Sequence, residues 1–186
     1  MDTSKVISTF YGEGTPLERI LLEHSSRVAA KALSIIDAKS LPVDRQFVHD
    51  AAMLHDIGIV MCDAPGIECH GKEPYIRHGL CGGQLLRGNA HRWGLSTADI
   101  EPYARVCERH TGAGLSRADI ETQHLPLPVA DLLPETLEEK LICYADKFFS
   151  KTRLDKEKTV EQVTHSMLKF GSGSVERFRL LHELFG

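Results

Sequence analysis

The sequence contains no Cys-x-x-Cys pair, and its five cysteines, Cys62, Cys69, Cys81, Cys107 and Cys143, are odd in number and scattered. That argues against a disulfide framework and against a structural zinc site, and fits a reducing, cytoplasmic setting. No stretch approaches the ~20 apolar residues of a membrane span, and residues 1–14 lack a basic segment followed by an apolar run, so neither membrane nor leader is expected. Positive charge is outnumbered. With 22 Lys+Arg against 26 Asp+Glu the formal charge is -4, which gives no electrostatic basis for nucleic-acid binding; a small anionic substrate stays compatible if basic residues gather locally. Internal repeats, low-complexity tracts and alternating β-branched runs are all absent, so the chain reads as all α. At 186 residues, 42% hydrophobic, it is long enough for one core and short for two, and a single domain over 1–186 is expected.

The helix starts are well marked. Thr15-Pro16-Leu17-Glu18 supplies an N-cap, a proline at the first helical position and a glutamate at the third. The helix runs to about Lys39 on a stripe of Leu17, Ile20/Leu21, Val28, Ala32 and Ile35. His24 falls in that stripe, with Arg27 one turn along. After Pro42, Asp44 caps a second helix whose apolar run, Phe47 to Leu54, leads into His55-Asp56 and stops at Gly58. Over 59–74 the pattern is lost; the length and the Pro/Gly punctuation mark a candidate lid holding Lys72 and, in reach of a substrate, His70.

A third helix is predicted from Pro74 through Leu86, carrying Arg77 and His78 beside a thin face of Gly79, Gly82 and Gly83 where a backbone or ligand can approach closely. The capping sequence Ser96-Thr97-Ala98-Asp99 opens a fourth helix that carries Arg109 and His110 to Gly112. Residues 111–134 read as a surface excursion with a short helix at Ser116. Thr136-Leu137-Glu138-Glu139 opens a fifth long helix bearing Asp146 and Lys147. Two amphipathic packing helices, about 159–170 and 174–185, complete a bundle of about seven. The chemistry-bearing core is then about 17–153, with the packing helices at about 157–185.

Ten histidines are more than an average chain of this length carries, and position decides whether the excess matters. His24, His55-Asp56, His78, His110 and Asp146 each admit a bland account, a hydrogen-bonded core histidine or a solvated helix end. Together they place six polar donors on or beside the inward stripes of five helices. Imidazole and carboxylate without thiolate suit Fe, Mn, Zn, Ni or Co, and six such donors exceed what one ion with an open position needs, so two divalent ions sharing a carboxylate are expected. The other histidines read as surface or loop residues.

His24, the doublet in His55-Asp56-Ile57-Gly58 and the aspartate of Ala145-Asp146-Lys147 resemble, in order, the His…His-Asp…Asp pattern of the HD superfamily of metal-dependent phosphohydrolases. His78 in Arg77-His78-Gly79 and His110 in Glu108-Arg109-His110-Thr111-Gly112 are similar to the subset that holds a dinuclear centre. The small HDIG-domain hydrolases are the nearest group, over roughly 21–153. Two departures matter. Ile59 stands where many relatives have a lysine, and the absence of a Gly-Tyr-Pro motif, with Thr111 following His110, disfavours a cyclic-di-GMP substrate.

The resemblance implies an HD-domain helical bundle and metal ligation by His24, His55, Asp56, His78, His110 and Asp146, with Asp56 bridging. Cleavage of a phosphate ester or anhydride of a small molecule, a nucleotide, follows from it. Asp56, Lys147 and Arg27 are the candidate catalytic residues, and Arg27, Lys72, Arg77, Arg109 and Lys147 the candidate substrate cations, chosen by proximity to ligands in sequence. Two other classes compete: an HD-fold di-iron oxygenase, which resembles the same six-donor set and is separated by oxygen dependence, and a non-catalytic nucleotide- or metal-sensing module, against which the intact donor set argues.

Overall fold

The capping residues do what their chemistry dictates. In the computed structural model, which describes residues 1–186, Thr15 caps helix α2 (Pro16–Lys39) and Asp44 accepts from the amides of Gln46 and Phe47 to cap α3 (Arg45–Leu54). Reciprocal capping boxes open α5 (Thr97–Arg109), α6 (Arg117–Thr122), α7 (Leu137–Asp146) and α8 (Val160–Met167). Helix α4 spans His78–Asn89, and α9 spans Ser172–Phe185. The class is all-α. Nine helices replace about seven because the short helix expected at Ser116 adds α6 to the seven and because a short α1 (Thr3–Ser8), capped by Asp2, precedes them. Helix α1 buries Val6 and Ile7, and Tyr11 just beyond it donates its hydroxyl to the Ile57 carbonyl at 2.8 Å.

Two differences from the sequence reading lie in residues 57–78. The expected lid is folded and packed: a 3-10 turn at Ile57–Met61 leads into β1 (Cys62–Ala64), which pairs antiparallel with β2 (Cys69–His70) and parallel with β3 (Glu73–Pro74). Burial of Ile59, Cys62, Ile67 and Cys69 holds this flap down. The third long helix begins at His78 and not at Pro74. Pro74 sits in extended backbone at ψ 139° as part of β3, and a 3-10 turn over Tyr75–Arg77 intervenes.

The thin face of α4 is used for backbone approach. A Cβ at Gly79 would lie 2.4 Å from the Cys107 carbonyl on α5, and one at Gly58 would lie 2.1 Å from the His78 carbonyl. Hydrophobic residues gather in two clusters, one built on α2, α3, α7, α8 and α9, the other on α1, α4, α5 and the flap. Helices α2 and α3 run through both. Leu21 belongs to one cluster and Val28 to the other, with His24 between them; Ala52 and Leu54 divide in the same way just before His55. The polar donors therefore lie along the seam between two apolar masses.

Candidate metal centre

Five elements deliver the donors to that seam. His24 lies in the middle of α2, His55 caps the C-terminal end of α3 with Asp56 next to it, and His78 opens α4. His110 caps the end of α5, and Asp146 ends α7. All six are buried, His55 and Asp56 completely. The structure brings together His24, His55, Asp56 and Asp146 as one group, and Asp56, His78 and His110 as a second.

The shared residue divides its oxygens between them. Asp56 Oδ2 stands 3.1 Å from His24 Nε2 and 3.0 Å from His55 Nε2, while Oδ1 stands 3.4 Å from both His78 Nε2 and His110 Nε2. Asp146 Oδ1 closes the first group at 3.0 Å from His24 and 3.4 Å from His55. Donors about 2.0–2.2 Å from one ion are separated from each other by about 3.0–3.5 Å, so these edges are those of donors converging on a cation.

The imidazoles are aimed for that purpose. His55, His78 and His110 each commit Nδ1 to the carbonyl three residues back, Ala52, Tyr75 and Cys107, at 2.7 Å in every case. Where the ring is neutral, as at His78 and His110, a proton on Nδ1 leaves a lone pair on Nε2. His78 Nε2 and His110 Nε2 are 2.9 Å apart, and His24 Nε2 and His55 Nε2 are 3.3 Å apart. Asp56 is fully buried with neither oxygen in a well-formed hydrogen bond, and the cation nearest to it is Lys151, whose Nζ lies 2.5 Å from Oδ2. The lone pairs of His78 and His110, facing each other at 2.9 Å and Asp56 Oδ1 at 3.4 Å, are costly unless a cation lies among them. The donor set fits divalent metal ions.

Burial and the neighbouring charges set the protonation states. Burial, with His110 alongside, pushes His78 down to about 3, and burial pulls His110 down as well, so both are neutral donors at neutral pH. Burial also works against the charged form of His55, yet Asp56 and Asp146 override it and raise His55 to about 9. Asp56 and Asp146 are held well below the usual carboxylate range: burial opposes ionisation and is outweighed, for Asp56 by His55 and Lys151, for Asp146 by Lys147 and His24.

A cavity of about 660 Å³ opens onto His78, His110 and Asp146. Its lining includes four lysines, Lys147, Lys151, Lys158 and Lys169, against one carboxylate, Asp146, in a chain of net charge -4. Tyr75, Leu125, Phe149, Met167 and Phe170 form apolar wall, and the flap contributes Ala64, Gly66 and Ile67.

Of the cations named from sequence, only Lys147 reaches this cavity. Its ammonium is pinned between Asp146 Oδ2 at 2.6 Å and the His110 carbonyl at 2.8 Å. Of the other four, the three arginines are drawn elsewhere by nearer partners. Arg27 pairs with Glu23 along α2, Arg77 with Glu73 and the Pro126 carbonyl, and Arg109 with Glu135 and the Leu133 carbonyl. Lys72 is exposed on the flap, as is His70. Sequence reasoning missed Lys151, whose Nζ lies 2.5 Å from Asp56 Oδ2 and 5.9 Å from the centre of the Tyr75 ring. Tyr75 in turn stacks on His78, with ring centres 4.8 Å apart.

The HD domain family model matches residues 21–150, which contain all six donors. Among similar proteins, an uncharacterized protein of Methanocaldococcus jannaschii is 31% identical over 167 residues, covering 88% of this chain and 86% of its own. Two proteins named tRNA (cytidine(56)-2'-O)-methyltransferase, from Picrophilus torridus and Thermoplasma volcanium, are 33% and 30% identical over 73% and 88% of this chain. The matches span only 33% and 41% of those two relatives' length. No solved structure matches, and no helix is long and apolar enough to cross a membrane. With the family model covering well over half of the sequence and its donors converging at one seam, the chain belongs to the HD-domain family, of the superfamily of metal-dependent phosphohydrolases.

Proposed function

We propose that the protein hydrolyses a phosphate ester or anhydride of a small molecule, a nucleotide, at a site holding two divalent ions. The observation that carries this reading is the division of Asp56 between two donor groups beneath a lysine-lined cavity. When bound, two such ions supply a water acidic enough to attack phosphorus at neutral pH and positive charge for the phosphoryl oxygens. Asp56 and Asp146 hold their negative charge for this task, and neutral His78 and His110 offer lone pairs without a proton to lose. Lys151 is the cation placed to meet a non-attacking phosphoryl oxygen. Lys147, held by Asp146 and the His110 carbonyl, positions those two donors. The apolar wall of Phe149, Met167 and Phe170 suits an uncharged ring such as a base.

The tRNA-directed activity in the names of two relatives belongs to proteins of which the matches span 33% and 41%, and it is not carried over to this chain. A cavity of this size favours a small substrate over a polynucleotide. The test is phosphate release from a panel of nucleotides, dinucleoside polyphosphates and sugar phosphates. It uses protein reconstituted anaerobically with manganese or iron, and Asp56→Ala as control. Release that requires Asp56 supports the reading; no release from any compound, with two irons bound and oxygen consumed on exposure to air, overturns it in favour of an oxygenase.

A further inference from the structure

We propose that the substrate carries a second phosphoryl group beyond the one presented to the donors, and that Lys158 reads it. The proposal rests on the phosphohydrolase reading above and narrows it to phosphoanhydrides and other substrates with two or more linked phosphates. Lys158 lies outside the span of the family model, in the segment between α7 and α8. Its amide donates to the Phe148 carbonyl at 2.8 Å and its Nζ to the Lys147 carbonyl at 3.3 Å, one residue from the donor Asp146. The ammonium is thus fixed beside the metal centre, half-buried, with no carboxylate paired to it. Burial of an ammonium without a counter-ion costs free energy that an anionic ligand removes.

Lys158 also stands where two cavities meet. The inner one is lined by three of the donors, His78, His110 and Asp146. The outer one, about 670 Å³, shares Ser150, Lys158 and Ser166 with it, and none of its nine lining residues is hydrophobic. Arg153 and Lys156 line it too, and of its two glutamates Glu157 is already paired with Lys31 at 2.6 Å. A monophosphate satisfies the inner cavity alone. A chain of phosphates running outward passes Lys158 and enters a polar, cationic space.

The test is isothermal titration calorimetry on the metal-loaded full chain, with imidodiphosphate, a non-hydrolysable diphosphate, against orthophosphate. Wild type is expected to bind imidodiphosphate about tenfold to a hundredfold more tightly, the range of one charge-assisted hydrogen bond. Lys158→Met should erase that gap by weakening imidodiphosphate binding with metal content unchanged, and Lys158→Arg should restore it. Equal affinities in wild type, or a gap that survives Lys158→Met, overturns the proposal. Because the titration needs no turnover, its failure is distinct from a failure of the phosphohydrolase reading, which appears as no phosphate released from any compound.

Discussion

Asp56 is the residue on which the site turns, since one carboxylate serves both donor groups. On the proposed two-ion phosphohydrolase reading, replacing it by alanine should empty both metal positions and abolish phosphate release, whereas His78→Ala should empty one, with helical content kept in each case. Metal analysis beside circular dichroism checks this, and two ions retained by Asp56→Ala would refute the bridging role. Lys151→Met should retain both ions but lower kcat by roughly 10²–10³, the range for one lost charge-stabilising donor. Steady-state kinetics with metal analysis reads it out. The two residues also differ in how visible they were. His24 and His110 stood out because helical spacing assigns a buried face, so a histidine on an apolar stripe is conspicuous; the other donors sit beside such stripes or at helix ends and were joined to them by the resemblance to the HD pattern. Lys151 follows the end of α7, where no period projects the chain, and only the turn over Ser150–Arg153 returns its ammonium to Asp56. Arg27, Arg77 and Arg109 failed to reach the cavity because each has a carboxylate close by, and sequence distance to a ligand carries no information about that competition.

At the scale of elements, the capped helices were readable because Ser, Thr and Asp at N-caps act within one turn. The flap was not, since its strands of two and three residues are held by Ile59, Ile67 and the cysteines packing inward and have no period of their own. The approach of residues 57–61 to α4 is a backbone-on-backbone contact at Gly58. Gly58→Ala would drive a Cβ into the His78 carbonyl and the Gly82 amide, where nothing flexible can yield. A loss of about 3 kcal/mol or more is expected in denaturant unfolding, at the severe end of overpacking. Helices α6 and α9 are tied by Asp119, which closes the α6 capping box and meets Arg177 at 2.6 Å. Burial pushes its carboxyl up, but Ser116 and Arg177 prevail and hold it below the usual value. A depressed carboxylate adds stability above its unfolded pKa, about 4, and loses it as pH falls through the lower folded value. Wild type should therefore exceed Asp119→Asn by a constant margin above about pH 5, and the two should converge in acid; a margin independent of pH would exclude the charge as its source.

For the whole molecule, the metal centre is where two apolar clusters meet, so ions bound there join the halves and add their binding energy to folding. At free metal about 1,000 times the dissociation constant this contributes about 4 kcal/mol, or about 8–16 °C in Tm for a chain of this size. Stripping the protein with a chelator should lower Tm by that amount and re-addition of metal restore it. An unchanged Tm would mean that the seam is held by packing alone. The same seam explains why class and donors could be read from sequence while the cavity could not: stripes report which face is buried, and not which two buried masses abut. The Nδ1 bonds of His55, His78 and His110 bear on this joint. Each ring takes its bearing from a carbonyl on its own stretch of chain, three residues back, so its rotation is settled before the elements dock. Packing is left only the task of translation. A core that loosens or drifts can widen the gaps between these rings, but it cannot turn any of them away, as instruments on separate rigid mounts stay trained when the deck beneath them shifts.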